Sequence, residues 1–220
     1  MDERAHSQPG VSAVIGTALE QGARVFDLAS GVLERVADTV TPQPVLAVVA
    51  MPGTTLEGLA GATFVVVCVD VRDPGNAGAV IRVAHASGAM GVVCCEGTVD
   101  PYNPKTVRAS AGSVLHIPVV VAGDAEAVLD TLGHLGLRRL AALSKGGTPY
   151  TDVDLTSPFA LVLGNEASGL PPQLEERLDA RVTIPMGGGA ESLNVSTAAA
   201  VVCFEAARRR SNLQAMESTR

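Results

Sequence analysis

Polar side chains able to orient a substrate occur in three short loops, each following an apolar run. The first loop contains Asn76 and leads to Arg82, the second contains Glu166, and the third contains Ser192 and Asn194. Glycine accompanies these side chains in or beside every loop and lets the backbone approach a ligand closely. A loop that ends a strand and opens a helix also presents backbone N–H groups. The pattern therefore predicts one ligand site assembled from three loops.

The amino-acid sequences of the three loops identify a family more specifically than the chemistry of their side chains does. Together they closely resemble the three motifs of the SpoU-type RNA ribose 2′-O-methyltransferases, in the knotted SPOUT superfamily. The resemblance covers about residues 60–212 and implies S-adenosylmethionine (SAM) as cofactor, a ribose 2′-hydroxyl of structured RNA as acceptor, and a homodimer. The matching stretches are Asn76-Ala-Gly-Ala-Val-Ile-Arg82, Leu163-Gly-Asn-Glu-Ala-Ser-Gly-Leu170 and Ser192-Leu-Asn-Val-Ser196.

The resemblance implies a catalytic set of Asn76, Arg82, Glu166, Ser192 and Asn194. Arg82 matches the residue proposed in the family to act on the ribose hydroxyl. An arginine side chain stays protonated at neutral pH and is a poor general base. We therefore interpret Arg82 as a group that binds phosphate and orients the 2′-hydroxyl, with the proton passing to an RNA phosphate or to water. A purely structural alternative for Asn76 and Asn194 is that each caps the helix that follows it.

Cofactor binding is predicted in the loops that follow three of the apolar runs. Their glycines permit tight bends, and their apolar side chains suit the adenine and methionine parts of SAM. The residues predicted to bind SAM are Ser144, Gly164, Asn165, Gly169, Ile184, Met186, Leu193 and Ser196.

RNA binding has to come from local charge, because the net charge of the chain is −7. Predicted RNA contacts are Arg72, Lys105 and Arg108, of which the last two lie three residues apart on one face of a predicted helix. Aromatic residues make up only 3% of the chain, and there is no Trp. This composition argues against a base-stacking platform as the main RNA contact.

Composition excludes several other classes of protein. No apolar run reaches the roughly 20 residues of a membrane-spanning helix, so no membrane partner is expected. The four cysteines show neither metal-ligand spacing nor a histidine partner, and we expect no metal. Reduced, buried thiols and a cytoplasmic location are expected instead.

Apolar runs alternate with helical patterns from residue 63 onward, which predicts an α/β fold with a mostly parallel sheet and helices on both faces. Ordinary topology rules predict an unknotted chain, whereas the resemblance implies a deep C-terminal trefoil knot. Strands are predicted at residues 63–70, 91–95, 117–121, 140–144, 159–163 and 181–184, and helices at residues 77–87, 105–111, 125–135, 172–177 and 195–210.

Residues 1–53 are expected to be a partial small α/β domain plus a linker, with helices at 14–21 and 30–37 and strands at 24–27 and 45–50. The resemblance suggests the remnant of an RNA-binding domain. The methyltransferase domain is predicted over residues 54–213 and a tail over 214–220.

The leading interpretation is a SAM-dependent RNA ribose 2′-O-methyltransferase, with rRNA favoured over tRNA. A catalytically silent RNA-binding protein of the same fold is one alternative. A Rossmann-type nucleotide-dependent enzyme is another, although the Gly-x-Gly-x-x-Gly fingerprint is missing.

Overall fold

The computed structural model describes residues 1, 5, 8–37 and 41–217. The chain divides into two compact units, Met1–Met51 and Pro52–Arg220. The boundary predicted between residues 53 and 54 falls close to this division. The assignment of the first unit to the remnant of an RNA-binding domain stays a prediction, and residues 2–4, 6–7 and 38–40 of the predicted segment lie outside the described residues.

The first unit contains two helices, α1 (Pro9–Glu20) and α2 (Val32–Val36). The strands predicted at residues 24–27 and 45–50 do not form, and those residues have no regular structure. Apolar character alone does not make a strand, because an isolated strand needs a hydrogen-bonded neighbour. Val48 accordingly remains 97% exposed.

The second unit is built on a seven-stranded sheet, and every strand pair in it is parallel. The sheet order is β3-β2-β1-β6-β4-β7-β5. All six predicted strands form, and a short strand that was not predicted, β5, completes one edge. The strands are β1 (Phe64–Cys68), β2 (Val92–Cys94), β3 (Val119–Val121), β4 (Arg138–Leu143), β5 (Thr148–Pro149), β6 (Phe159–Leu163) and β7 (Ala180–Thr183).

Helices cover both faces of this sheet, as predicted for a continuously apolar parallel sheet. Short 3₁₀ turns lie at Glu57–Leu59, Ser113–Leu115 and Pro172–Arg177. The predicted knot is not tested by these features and stays a prediction. The helices are α3 (Pro74–Ala86), α4 (Pro104–Ala109), α5 (Ala125–His134) and α6 (Val195–Glu217).

Two apolar cores lie on opposite faces of the sheet, because side chains alternate along each strand. In β1, Phe64 and Val66 point into the first core, and Val65 and Val67 point into the second. Helices α3 and α6 contribute buried residues to the first core, whereas α5 contributes to the second. We call these the α3/α6 face and the α5 face of the domain.

The C-terminal helix is fixed to the sheet through Arg210. Its guanidinium donates to the carbonyl oxygens of Thr63 at 3.0 Å and Ser157 at 2.8 Å. The same group lies over the rings of Phe64 and Phe159, 5.3 and 5.5 Å from their centroids. These contacts hold α6 in one position and thereby also hold the loop at its other end, which reaches the site described next.

Candidate active site

The site lies where the loops after β1, β6, β4 and β7 meet. Parallel strands bring their C-terminal ends to the same edge of a sheet, where ligands of open α/β folds usually bind. Strands β1 and β6 are direct neighbours, so the loop that carries Asn76 adjoins the loop that carries Glu166. The loop before α6 brings Asn194 to the same place.

A chain of hydrogen bonds joins the three predicted motifs. Asn76 donates from Nδ2 to Oε1 of Glu166 at 2.9 Å, and its Oδ1 accepts from Nδ2 of Asn194 at 2.8 Å. The backbone N–H of Asp73 donates more weakly to the same Glu166 oxygen, at 3.4 Å. Both ends of the Asn76 amide are therefore used, and its orientation is set by its neighbours.

Asn194 serves both as a link in this chain and as the cap of α6. Its Oδ1 accepts from the backbone N–H of Ser196 at 2.9 Å and from the Ser196 hydroxyl at 2.7 Å. The structural and functional interpretations of Asn194 are therefore compatible. Because the capping residue also binds Asn76, the N-terminus of α6 is held next to the first loop.

The capping role considered for Asn76 is wrong. Helix α3 begins earlier than predicted, at Pro74, and its N-cap is Asp73. The Asp73 carboxylate accepts from the backbone N–H of Asn76 at 2.8 Å. Proline at the first helical position and an acidic cap are the usual start signals, and sequence reasoning overlooked them here. The Asn76 side chain is thereby left to bind Glu166.

A cavity of about 420 Å³ opens beside this hydrogen-bonded chain. Its size lies within the roughly 300–1,000 Å³ range of small-molecule sites. The predicted catalytic and cofactor residues that line it are Asn76, Ser144, Gly164, Asn165, Glu166, Gly169, Ile184, Met186, Ser192, Leu193 and Asn194.

Two of the predicted catalytic and cofactor residues, Ser196 and Arg82, do not line the cavity. The Ser196 hydroxyl donates a hydrogen bond to Oδ1 of Asn194. Arg82 is exposed on α3, six residues beyond Asn76 and so about 9 Å further along the helix axis. Among the described residues, Arg82 has no hydrogen-bond or ion-pair partner. Its predicted action on the RNA acceptor stays a prediction.

The loop after β6 is compact because its backbone segments are hydrogen-bonded to each other and pack closely. Asn165 and Gly169 exchange both backbone hydrogen bonds, each at 3.0 Å. A Cβ at Gly164 would lie 2.5 Å from the carbonyl carbon of Gly169. The Asn165 side chain donates to the carbonyl oxygen of Asp70 at 2.9 Å. Its amide nitrogen is therefore engaged in joining the loop to the end of β1.

The predicted RNA contacts lie outside the cavity. Arg72 is 72% exposed and pairs with Asp70 at 2.7 Å, and this carboxylate raises the pKa of the Arg72 guanidinium. Lys105 and Arg108 are exposed on α4, which begins at the cap residue Asn103. The structure thus brings together the predicted catalytic and cofactor residues other than Arg82 and Ser196, and leaves these cations on the surface.

Sequence reasoning missed a group of cavity residues that are mostly apolar. Lys145 is the exception, and it is the single cation among the lining residues that the structure describes. Its position next to Ser144, in a loop already suspected of contacting SAM, was an available signal. The residues missed are Ala142, Leu143, Lys145, Leu163, Ala167, Val182, Val195, Ala198 and Val202.

The cysteines are free and buried, as predicted. Burial raises the pKa of the Cys95 and Cys203 thiols to about 12, which keeps them protonated. Within the described part of the chain, no group of three or more His, Cys, Asp or Glu side chains could hold a metal ion. No described helix is both long and apolar enough to cross a membrane.

Comparison with known proteins agrees with the geometry. Residues 63–204, which include all three motifs, match the SpoU rRNA methylase family. The chain belongs to this family. The structure of the AdoMet-bound rRNA methyltransferase from Sinorhizobium meliloti superposes with a TM-score of 0.81 at 33% identity, covering 91% of this chain and 78% of that one.

Two curated relatives resemble the chain along most of its length. It is 38% identical over 190 residues to the 23S rRNA (guanosine(2553)-2′-O)-methyltransferase RlmP of Bacillus subtilis, covering 86% of this chain and 75% of the relative. It is 36% identical over 179 residues to the 23S rRNA (uridine(2479)-2′-O)-methyltransferase of Streptomyces viridochromogenes. That match covers 77% of this chain and 61% of the relative, less than two thirds of its length.

Proposed function

We propose that this chain transfers a methyl group from SAM to a ribose 2′-hydroxyl of structured RNA, with rRNA as the favoured class. The observation that carries the proposal is the hydrogen-bonded chain Glu166–Asn76–Asn194 at the edge of the cavity. It joins all three family motifs through side chains rather than through backbone packing alone. The two relatives named above are both 23S rRNA 2′-O-methyltransferases.

The residues of the cavity fit SAM. Leu143, Ile184 and Val202 provide apolar surface for an adenine ring, and Gly164 lets the backbone approach closely. The AdoMet-bound relative has the same fold. When bound, SAM supplies a methyl group already activated by its sulfonium, so the transfer requires no metal.

The protein contributes mainly position. The 2′-oxygen has to lie about 3–3.5 Å from the methyl carbon, in line with the departing sulfur. Glu166 is held by Asn76 and by the Asp73 N–H, and is therefore oriented before substrate arrives. The Arg82 guanidinium can bind an RNA phosphate beside the reacting ribose. The hydroxyl proton then passes to a phosphate oxygen or to water.

Two measurements test this function. Calorimetric titration with S-adenosylhomocysteine should show saturable binding by the folded chain. Mapping of 2′-O-methyl groups in RNA from cells with and without the protein should reveal a site that depends on it. Binding of S-adenosylhomocysteine without any methylated RNA would support the silent RNA-binding alternative, and binding of NAD(P) instead would support the Rossmann-type one.

A homodimer in the cytoplasm completes the proposal. Helix α6 exposes Phe204, with 49% of its surface accessible, and an exposed aromatic side chain on a helix suits an interface between copies. Buried free thiols suit a reducing compartment. Sizing of the chain in solution tests the dimer, and a monomer at micromolar concentration would contradict it.

A further inference from the structure

Two segments on the α3/α6 face lack acidic residues, although α6 on the same face carries Glu205. The chain has 23 Asp and Glu residues, yet none occurs in residues 74–95 or 101–123. These two segments include α3, α4 and the 3₁₀ turn Ser113–Leu115, and together carry three Lys and Arg residues: Arg82, Lys105 and Arg108. The elements of the α5 face contain several carboxylates, including Glu126 and Asp130 on α5.

The acid-free elements form one continuous surface. A Cβ at Gly78 of α3 would lie 2.5 Å from the Thr106 carbonyl oxygen and from the Ala109 Cβ of α4. Helix α3 also contacts the 3₁₀ turn, where Nδ1 of His85 and the Ser113 hydroxyl lie 3.2 Å apart. A polyanion that contacts one of these elements is therefore close to the others.

Two exposed histidines stack on this surface. The rings of His85 and His116 are nearly parallel, with 10° between their planes and 5.5 Å between their centroids. His85 lies three residues after Arg82, on the same side of α3. Neither imidazole lines the cavity. The pair therefore has no part in the cofactor site and is open to a separate ligand.

We propose that the stacked His85–His116 pair binds a phosphate of the RNA backbone and docks the substrate on the acid-free surface beside Arg82. The inference rests on the proposed RNA methyltransferase function and extends it. Each ring uses one face against the other, and Nδ1 of His85 contacts the Ser113 hydroxyl. Nε2 of His85 and the ring nitrogens of His116 are therefore the groups that remain for an RNA contact. Imidazole N–H groups near cations, with no carboxylate in the same segments, match the charge and acceptor oxygens of a phosphate.

A charge series at His116 tests the proposal in the full chain. The variants are His116→Arg, His116→Ala and His116→Glu, measured by fluorescence anisotropy with a labelled RNA hairpin at several salt concentrations. Affinity should fall in the order Arg, His, Ala, Glu, with about a tenfold spread in Kd from the first to the last. The arginine variant should also steepen the salt dependence by about 0.7–0.9 in logarithmic slope.

The matched control is the same series at His134. This histidine is also exposed but lies on α5, on the opposite face, where its Nδ1 contacts the Asp130 carbonyl oxygen at 2.8 Å. The His134 variants should leave RNA affinity unchanged, and both series should retain the parent's affinity for S-adenosylhomocysteine. His85→Ala combined with His116→Ala should weaken RNA binding at least as much as His116→Ala alone.

The possible results separate the inference from the function beneath it. A flat His116 series in a protein that still methylates RNA would overturn the phosphate site alone. A change of oligomeric state across the series, with RNA affinity unchanged, would instead make this surface an interface between copies. If the parent neither binds nor methylates RNA, the proposed function and the inference fail together.

Discussion

Asn76 and Glu166 are hydrogen-bonded at 2.9 Å, although 90 residues separate them in the chain. The bond requires an N–H donor at position 76, because a carboxylate oxygen accepts hydrogen bonds and does not donate them. Asn76→Asp removes the donor and places a second carboxylate against the first. We expect turnover to fall roughly 100-fold, the loss typical of a misplaced catalytic group.

Asn76→Ala is the control for this prediction, since it removes the donor without adding charge. Single-turnover methylation with radiolabelled SAM measures both variants, and circular dichroism checks their folding. Equal activity in the aspartate and alanine variants would mean that repulsion at Glu166 has no role.

Arg82→Ala should abolish methylation and leave the affinity for S-adenosylhomocysteine unchanged, because Arg82 does not line the cofactor cavity. A contact made mainly in the transition state lowers turnover more than ground-state binding. Arg82→Lys keeps the charge but loses the planar fork of donors, and should recover only part of the activity. Turnover at the parental rate on saturating RNA would show that the predicted catalytic role is wrong.

Gly164→Ala should weaken S-adenosylhomocysteine binding by about tenfold or more, because the added methyl group would clash with the rigid backbone of the loop. The nearest atoms are the Gly169 carbonyl carbon and oxygen, at 2.5 and 2.6 Å. Gly187→Ala is the matched control, since nothing lies within 4 Å of its added Cβ and its φ is not in the left-handed region. Isothermal titration calorimetry compares the two, and equal affinities would exclude a close backbone approach at Gly164.

Lys145 is expected to contact the carboxylate of the cofactor, because it is a cation on the cavity wall. The carboxylate of Glu166 lies on the same wall but is hydrogen-bonded to Asn76. Lys145→Ala should weaken S-adenosylhomocysteine binding by about three- to tenfold, as for one exposed charge-assisted hydrogen bond. Methylthioadenosine lacks that carboxylate, and its affinity should not change. Loss of RNA affinity with both nucleosides bound normally would instead assign Lys145 to an RNA phosphate.

Acid should destabilise the C-terminal helix through Glu205. Arg208 and Arg209 donate to its carboxylate at 2.7–2.8 Å and lower its pKa from 4.5 to about 2. Since the folded-state pKa is depressed, the stabilisation is complete above pH 4.5 and is lost as the pH falls toward 2. Glu205→Gln should therefore show a weaker decline of Tm over this interval. Glu191→Gln, in an exposed loop, should follow the parent curve.

The sheet was predictable because its strands are continuously apolar, as in Phe64–Cys68 and Phe159–Leu163. The same reasoning failed at residues 45–50, where an apolar run has no neighbouring strand. Periodicity reports whether a segment suits a sheet, and it does not report whether a partner strand is adjacent. The two-residue strand Thr148–Pro149 was missed for a related reason, because it exists only through its pairing with β7.

The site was predictable where function depends on loop residues in recognisable motifs, such as Glu166 and Asn194. The site was not predictable where one side chain makes both a structural contact and a contact within the site. Asn194 caps a helix and also binds Asn76, and Asp73 caps α3 so that Asn76 is left for the site. The stacking of His85 on His116 depends on the packing of α3 against a distant turn, and no local pattern reveals it.

The pairing of β1 with β6 also determines the order in which the domain can be completed on the ribosome. Phe64 pairs with Phe159, so the half-sheet of β1, β2 and β3 is fully synthesised by residue 121 while its inner edge still lacks a neighbour. At about 5–20 residues per second, the strand that covers this edge emerges roughly 2–8 s later. During that interval the nascent chain presents the apolar edge of β1, with Val65, Val66 and Val67, to any chaperone or other nascent chain nearby.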